Sequence, residues 1–357
     1  MPPNAIDSPA DAVTARFRGD RVATACVLGG DVQLACLAQA ARSQGVACRL
    51  VWPLPRQSRL PRMYLRLDFP HGVAYCLQGR ILVGPPATPF AQCRPVNGAN
   101  RKLVADKNAT NLVIATLGFP TPGGDRFARR EIDAAHAYFQ SLGGPACVKA
   151  NTGSLGHQVF PGIASTADFL DAFRAVARRH RHILVERHIH FPDCAGPTPP
   201  EASFRFFFVK PSIVGVRMDL PAHVVGDGIT PLRQLIEHKN LVKRTRTGQT
   251  EVKADPLVRE NLRRRGYTLD DVPAKDVRLF LKRTTNSSQG GDSITLPAGL
   301  HPSYADKIAT LCNAMPGLRV AAVDVMIGDH AMTAGTDKYA NLYMNASQGM
   351  LHIECPG

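Results

Sequence analysis

The chain has 357 residues, 44% hydrophobic and 20% charged, enough for a large buried core and two or three domains rather than one. No run approaches the ~18 apolar residues of a membrane span, and the opening MPPNAIDSPADAV lacks the basic and apolar regions of a secretory signal; a soluble cytoplasmic protein with no membrane partner is expected. The net charge of +14 raises nucleic acid as a partner, but aromatics are only 6% and none interleaves the basic clusters at 178–181, 243–246 and 263–265, so no nucleic acid is expected and the charge reads as a field for anionic ligands.

Residues 22–52 read as strand, turn, helix and strand. VATACVL is an apolar run, Gly29-Gly30 a turn, DVQLACLAQAARSQG a helix closed by Gly45, and ACRLVW the next strand. Such a βαβ unit implies a parallel sheet. The glycine pair lacks the G-x-G-x-x-G spacing and reads as a plain turn. Cys26, Cys36 and Cys48 belong to a set of nine scattered cysteines without a C-x-x-C pair, which reads as reduced core thiols. Prolines and glycines in PPATPFAQCRPVNG (85–98) mark a boundary, dividing an N-terminal α/β domain (1–98) from a second unit (99–357), itself parted near 180.

Beyond the boundary, helices are expected from Phe127 to Leu142, from an N-cap at Thr166 to Arg179, after the N-cap and proline pair Thr230-Pro231, and after His301-Pro302. Strands are expected at 182–187, 204–209, 213–217, 278–282 and 319–327. The class is α/β or α+β.

Chemistry is suggested first by VKANTGSLG (148–156). Phosphate oxygens need closely approaching backbone N–H groups, which glycine permits, and a cation; Lys149 supplies the cation, while Gly153 and Gly156 permit a cradle. The lysine precedes the glycines, so this is no Walker A loop. Arg205 and Arg217 are candidates for clamping a carboxylate or phosphate. His188-x-His190 has no further ligand at metal spacing and reads as a polar strand face. Ser154 and Ser288 lack a His/Asp constellation for serine hydrolase chemistry.

Further segments follow in order: DKNAT (106–110), ILVERH (183–188), HVVGDGITPLRQLIEHKN (223–240), NSSQGGDSITLPAGLHPSY (286–304), and the pair AAVDVMIG and LYMNASQG carrying Asp324 and Asn345. Together they resemble the ATP-grasp carboxylate–amine ligases, in particular the branch of cyanophycin synthetase and bifunctional glutathione synthetase. The resemblance covers roughly residues 99–357 and implies an ATP-grasp fold behind an N-terminal α/β domain. It implies that Lys107 and Lys149 contact ATP phosphates, that Gly153, Ser154 and Gly156 form a lid, and that the backbone at Glu186, Arg187 and Ile189 meets adenine. Asp324 and Asn345 would sit at Mg2+, and a loop with Asn286 and Ser288 would line the acyl-phosphate site.

The implied activity is ADP-forming ligation of a small-molecule carboxylate to an amine of an amino acid or peptide-like metabolite. A stand-alone enzyme is expected, and because enzymes of this kind are often dimers or larger, a homo-oligomer is one expectation. Five positions depart from the family pattern. Tyr343 stands where the family has a metal-bridging glutamate, Gln348 replaces a proline, Gln158 a glycine, Ala150 a proline, and Ser203 an acidic ribose-binding residue, for which Glu201 or Asp193 are substitutes. Tyr343 and Gln348 support a second reading, a catalytically impaired nucleotide-binding partner subunit.

Overall fold

The run RVATACVL is a helix, not a strand. In a computed structural model, which describes residues 20–28, 32–52, 63–77, 79–153, 158–191, 202–244, 250–285, 287–295, 299–335 and 339–345, α1 (Arg21–Leu28) is followed directly by α2 (Val32–Ser43). A short run whose interior holds one polar residue, Thr24, carries no period that separates strand from helix. The deciding signal is Asp20, whose carboxylate accepts from the N–H groups of Val22 and Ala23, both at 3.0 Å, as an N-cap does. Small residues at helical spacing, Ala23 and Cys26, then bury against Leu34, Ala35 and Ala38.

The expected parallel βαβ unit is therefore absent. β1 (Ala47–Val51), β2 (Tyr64–Phe69), β3 (Gly72–Leu77), β4 (Arg80–Gly84) and β5 (Arg94–Pro95) form an antiparallel sheet in chain order. After β5, Asn97 bonds to the far end of the chain. Its amide donates to the Val320 carbonyl at 2.7 Å and accepts from the backbone of Arg319 and Val320 at 2.9 and 3.0 Å.

The next elements are α3 (Asn100–Ala105), α4 (Lys107–Thr116), β6 (Asp125–Ala128), α5 (Ile132–Ser141), β7 (Ala146–Ala150), β8 (Val159–Ile163), α6 (Thr166–Ala177) and β9 (His182–Arg187). The four strands pair antiparallel in the order β6-β9-β7-β8. Helices α5 and α6 pack against them through Phe139 and Phe169, stacked at 4.7 Å. Phe127 lies on β6, so the expected helix starts later, at Ile132. The α6 cap is Ser165 rather than Thr166, accepting from the Asp168 N–H at 3.1 Å.

The last third carries β10 (Ser203–Val209), β11 (Ser212–Leu220), β12 (His223–Val225), α7 (Leu232–Val242), α8 (Pro256–Arg263), β13 (Arg278–Phe280), β14 (Asp292–Thr295), α9 (Pro302–Ala314), β15 (Val320–Ile327) and β16 (Tyr339–Asn345). Five of these strands form the sheet β14-β11-β10-β15-β16, again antiparallel. Phe204, Phe206 and Phe208 alternate onto one face, where they join Tyr304, Ile308 and Leu311 of α9 in the core. Before α7, Thr230 does not cap; its hydroxyl donates to Asp227 at 2.6 Å, and Pro231 takes the cap position. The class is α+β.

Candidate functional site

The alternation that buries the three phenylalanines sends Arg205 to the opposite face of the sheet. There the strand register lines up one row: Arg217 is the Cα partner of Arg205, Arg205 of Asp324, and Asp324 of Tyr343. Arg205 grips Asp324 with both ends of its fork, Nε to Oδ1 at 2.6 Å and Nη2 to Oδ2 at 2.7 Å. That carboxylate holds the guanidinium pKa above its ordinary value against the opposing effect of burial. The register slips between Asp324 and Val325, whose partners are Tyr343 and Asn341. Asn345, the partner of Ala322, shares the face of Asp324 and Tyr343.

At the other end of the row Arg217 is 2% exposed. It donates to Asp219 at 3.1 and 3.2 Å, lies over the Phe207 ring at 5.8 Å, and leaves Nη1 buried without an acceptor. Ser293 fixes Asp219 with a 2.6 Å hydrogen bond. The adjacent Asp292 is held by Lys243 at 2.8 Å, by Lys239, and by His223 at 3.2 Å, which pins β14 to α7 and β12.

The four-stranded sheet supplies the second wall. Lys149 on β7 and Glu186 on the neighbouring β9 form an ion pair with side chains 8% and 3% exposed. Burial alone lowers the Lys149 pKa, but the Glu186 carboxylate outweighs it and the ammonium is held above its usual value. Asn111 of α4 adds a 3.5 Å hydrogen bond to Glu186. Gly124 makes the close approach to this strand possible, since a Cβ on it would lie 2.7 Å from Glu186 Cβ and 2.8 Å from the Val185 carbonyl.

Lys107 joins the two walls. It opens α4, whose cap Asp106 accepts from the Ala109 N–H at 3.0 Å. Asn151 ties this helix end to β7, its carbonyl accepting from Lys107 N–H at 3.1 Å and its side chain from Asn108 N–H at 3.0 Å. The Lys107 ammonium donates to the Gly153 carbonyl at 2.9 Å and stands over the Tyr343 ring, 4.8 Å from its centroid. Burial, followed by repulsion from Lys149, brings its pKa down to about 8. Burial, followed by Asp324, raises that of Tyr343.

Of the residues expected from sequence, the structure thus gathers Lys107, Lys149, Gly153, Glu186, Arg205, Arg217 and Asp324, with Asn345 on the same sheet face. Arg187 ends β9 exposed, and Ile189 follows half-buried beyond it. Ser288 falls in a short 3-10 turn, Ser287–Gln289. Ser154, Gly156, Asn286, Gln348, Glu201 and Asp193 lie outside the described residues. Ser203 bonds to Thr285 at 2.7 Å. Gln158, where the family has glycine, takes the left-handed backbone (φ 57°) that glycine adopts freely. The sequence does not single out Asn111, Asn151, Asp219 or Ser293, although Asn151 lies inside VKANTGSLG and Ser293 inside NSSQGGDSITLPAGLHPSY, because each acts through a partner distant in the chain. A cleft of about 880 Å³ bordered by Phe69, His71, Arg94 and Arg319 is lined by none of these residues.

Two antiparallel sheets, one carrying Lys149 and the other an arginine–aspartate row, with Lys107 of α4 reaching Tyr343 between them, define an α+β ATP-grasp fold, as the resemblance implied. The chain superposes on the crystal structure of a bifunctional glutathione synthetase from Pasteurella multocida with a TM-score of 0.56 at 22% identity, covering 91% of this chain and 41% of that one. No family model matches the chain. In sequence it is similar to the glutathione biosynthesis bifunctional protein of Mannheimia succiniciproducens, 30% identical over 235 residues, covering 64% of this chain and 29% of that protein. It is likewise similar to the same-named protein of Streptococcus mutans, 31% identical over 241 residues, covering 66% and 30%. The chain spans less than a third of the length of these curated relatives.

Proposed function

We propose that the chain is an ADP-forming ligase that activates a small-molecule carboxylate with ATP and joins it to an amine of an amino acid or small peptide-like metabolite. The observation that carries this reading is the convergence of Lys107 and Lys149, from separate segments, on the face bearing Arg205 and Asp324. Phosphoryl transfer needs charge clamped from several sides, and positioned cations supply it. In this reading ATP, when bound, supplies the phosphoryl group that turns the carboxylate into an acyl phosphate. Lys107 and Lys149 hold the phosphates, the backbone from Glu186 to Ile189 takes the base, and Arg205 and Arg217 orient anionic oxygens.

Mg2+ fits in a limited way. Asp324 offers a carboxylate whose oxygens each retain a lone pair after one hydrogen bond to Arg205, and Mg2+ needs only one or two carboxylates when phosphates and water complete its shell. Asp324 and Asn345 would hold such an ion. Among the described residues no group of three or more His, Cys, Asp or Glu side chains gathers to hold a metal.

The domain division at 98/99 and near 180, cytoplasmic location and a homo-oligomeric state belong to the same proposal. Among the described residues no helix is long and apolar enough to cross a membrane. The test is ADP release from ATP with pooled carboxylates and amino acids. Tight ATP binding without ADP under any pair would sink the ligase reading and favour the second one, a nucleotide-binding partner subunit, for which Tyr343 beside Asp324 is the supporting observation.

A further inference from the structure

Resting on the nucleotide reading above, we propose that this site holds one divalent cation per bound nucleotide, and that Tyr343 is the residue that sets that number. The row Arg217, Arg205, Asp324, Tyr343 brings two cations, one carboxylate and one phenol to the face where metal and phosphates would lie. Among the described residues the neighbouring carboxylates are committed to the framework, and Asp106 caps α4. Glu186 is buried on Lys149, and Asp219 is shared by Arg217 and Ser293. Among the described residues Asp324, more exposed than Glu186 or Asp219, is therefore the carboxylate left facing this space, and Asn345 contributes a neutral amide.

A second ion beside Asp324 would need a further hard oxygen donor. The position across from Asp324 on β16 instead carries an aromatic ring, and that ring is covered by the Lys107 ammonium at 4.8 Å. The ring offers no carboxylate oxygen to a second Mg2+ at this position. The ammonium above it and the Arg205 guanidinium beside it place positive charge on both flanks of the space a second dication would enter. The two protein cations thus take over the charge neutralisation that a second metal would otherwise supply, while the ring holds Lys107 by a cation–π contact.

The test uses the full chain with Mn2+ and the non-hydrolysable β,γ-imido analogue of ATP. Analogue binding is measured first by calorimetry in excess Mg2+, and bound Mn2+ is then counted by electron paramagnetic resonance titration at saturating analogue. The expected result is one Mn2+ per bound nucleotide in the natural chain and in Tyr343→Phe, and two in Tyr343→Glu. Two Mn2+ ions in the natural chain would overturn the proposal, as would a folded, nucleotide-binding Tyr343→Glu that stays at one. Failure of the natural chain to bind the analogue at all would remove the nucleotide reading itself, and the inference with it. If Tyr343→Glu does not fold, the counts for the natural chain and Tyr343→Phe still decide.

Discussion

The ammonium of Lys107 lies over the ring of Tyr343, 4.8 Å from its centroid, and this contact joins the start of α4 to β16. A lysine held in place loses less freedom when it closes on a phosphate, which is the general benefit of pre-organisation. Cation–π contacts contribute about 0.5–2 kcal/mol, more when desolvated. Tyr343→Phe should therefore bind ATP with a Kd close to that of the natural chain, while Tyr343→Leu should bind it weaker by roughly 0.5–2 kcal/mol. Calorimetric titration distinguishes the two; equal affinities for Phe and Leu would show that the ring contributes nothing.

Under the proposed function, the depressed pKa of Lys107, about 8, makes nucleotide affinity depend on pH. Bound phosphates favour the charged ammonium, so the bound form has the higher pKa. Affinity is complete below about pH 8 and declines as pH rises above it, by up to about tenfold per unit until the bound-form pKa is passed. Binding at pH 8.5 should accordingly take up protons, read as a buffer-dependent enthalpy. Lys107→Met should bind weakly at every pH and lose this slope. A flat profile for the natural chain from pH 7 to 9.5 would contradict the assignment.

Lys149 and Glu186 are buried together, and removal of one partner leaves an uncompensated charge. Lys149→Met should destabilise the fold by roughly 3–5 kcal/mol. The double change Lys149→Met with Glu186→Gln should recover much of that loss, because no charge is then left unpaired. Urea unfolding of the two variants reads the difference; equal stabilities would mean that the ion pair is not what holds Glu186.

Gly124 adopts φ 118°, and an added Cβ would collide with Glu186 and the Val185 carbonyl. Gly124→Ala should cost about 1–3 kcal/mol from backbone strain, and it should also weaken ATP binding by displacing the end of β9. Gly123→Ala makes the control: Gly123 is also left-handed (φ 68°), but its Cβ position is open. It should lose stability through its backbone while keeping nucleotide affinity closer to that of the natural chain.

Local signals carried much of the reading where the chemistry depends on short segments. The Lys149 strand and Gly153, the strand at 182–187, and Asp324 and Asn345 on adjacent strands were legible because residue type and alternation determine them locally. The phenylalanine alternation in FRFFF likewise places Arg205 away from the core. Where the local signal is mixed it misleads: VATACVL contains no turn of polar residues to reveal its period, and the Asp20 cap marks it as a helix.

By itself, then, the sequence determined the order of the segments that resemble the ATP-grasp ligases, the alternation that sets Arg205 apart from the core, and the presence of tyrosine at 343. Tertiary structure alone decided that the first sheet is antiparallel, that the Glu186 side chain serves Lys149, that Ser293 and Arg217 share Asp219, and that Lys107 rests on Tyr343. The physical reason is range: side-chain alternation and capping act over a few residues, whereas ion pairing, desolvation and cation–π contact depend on which distant strands and helices packing brings together.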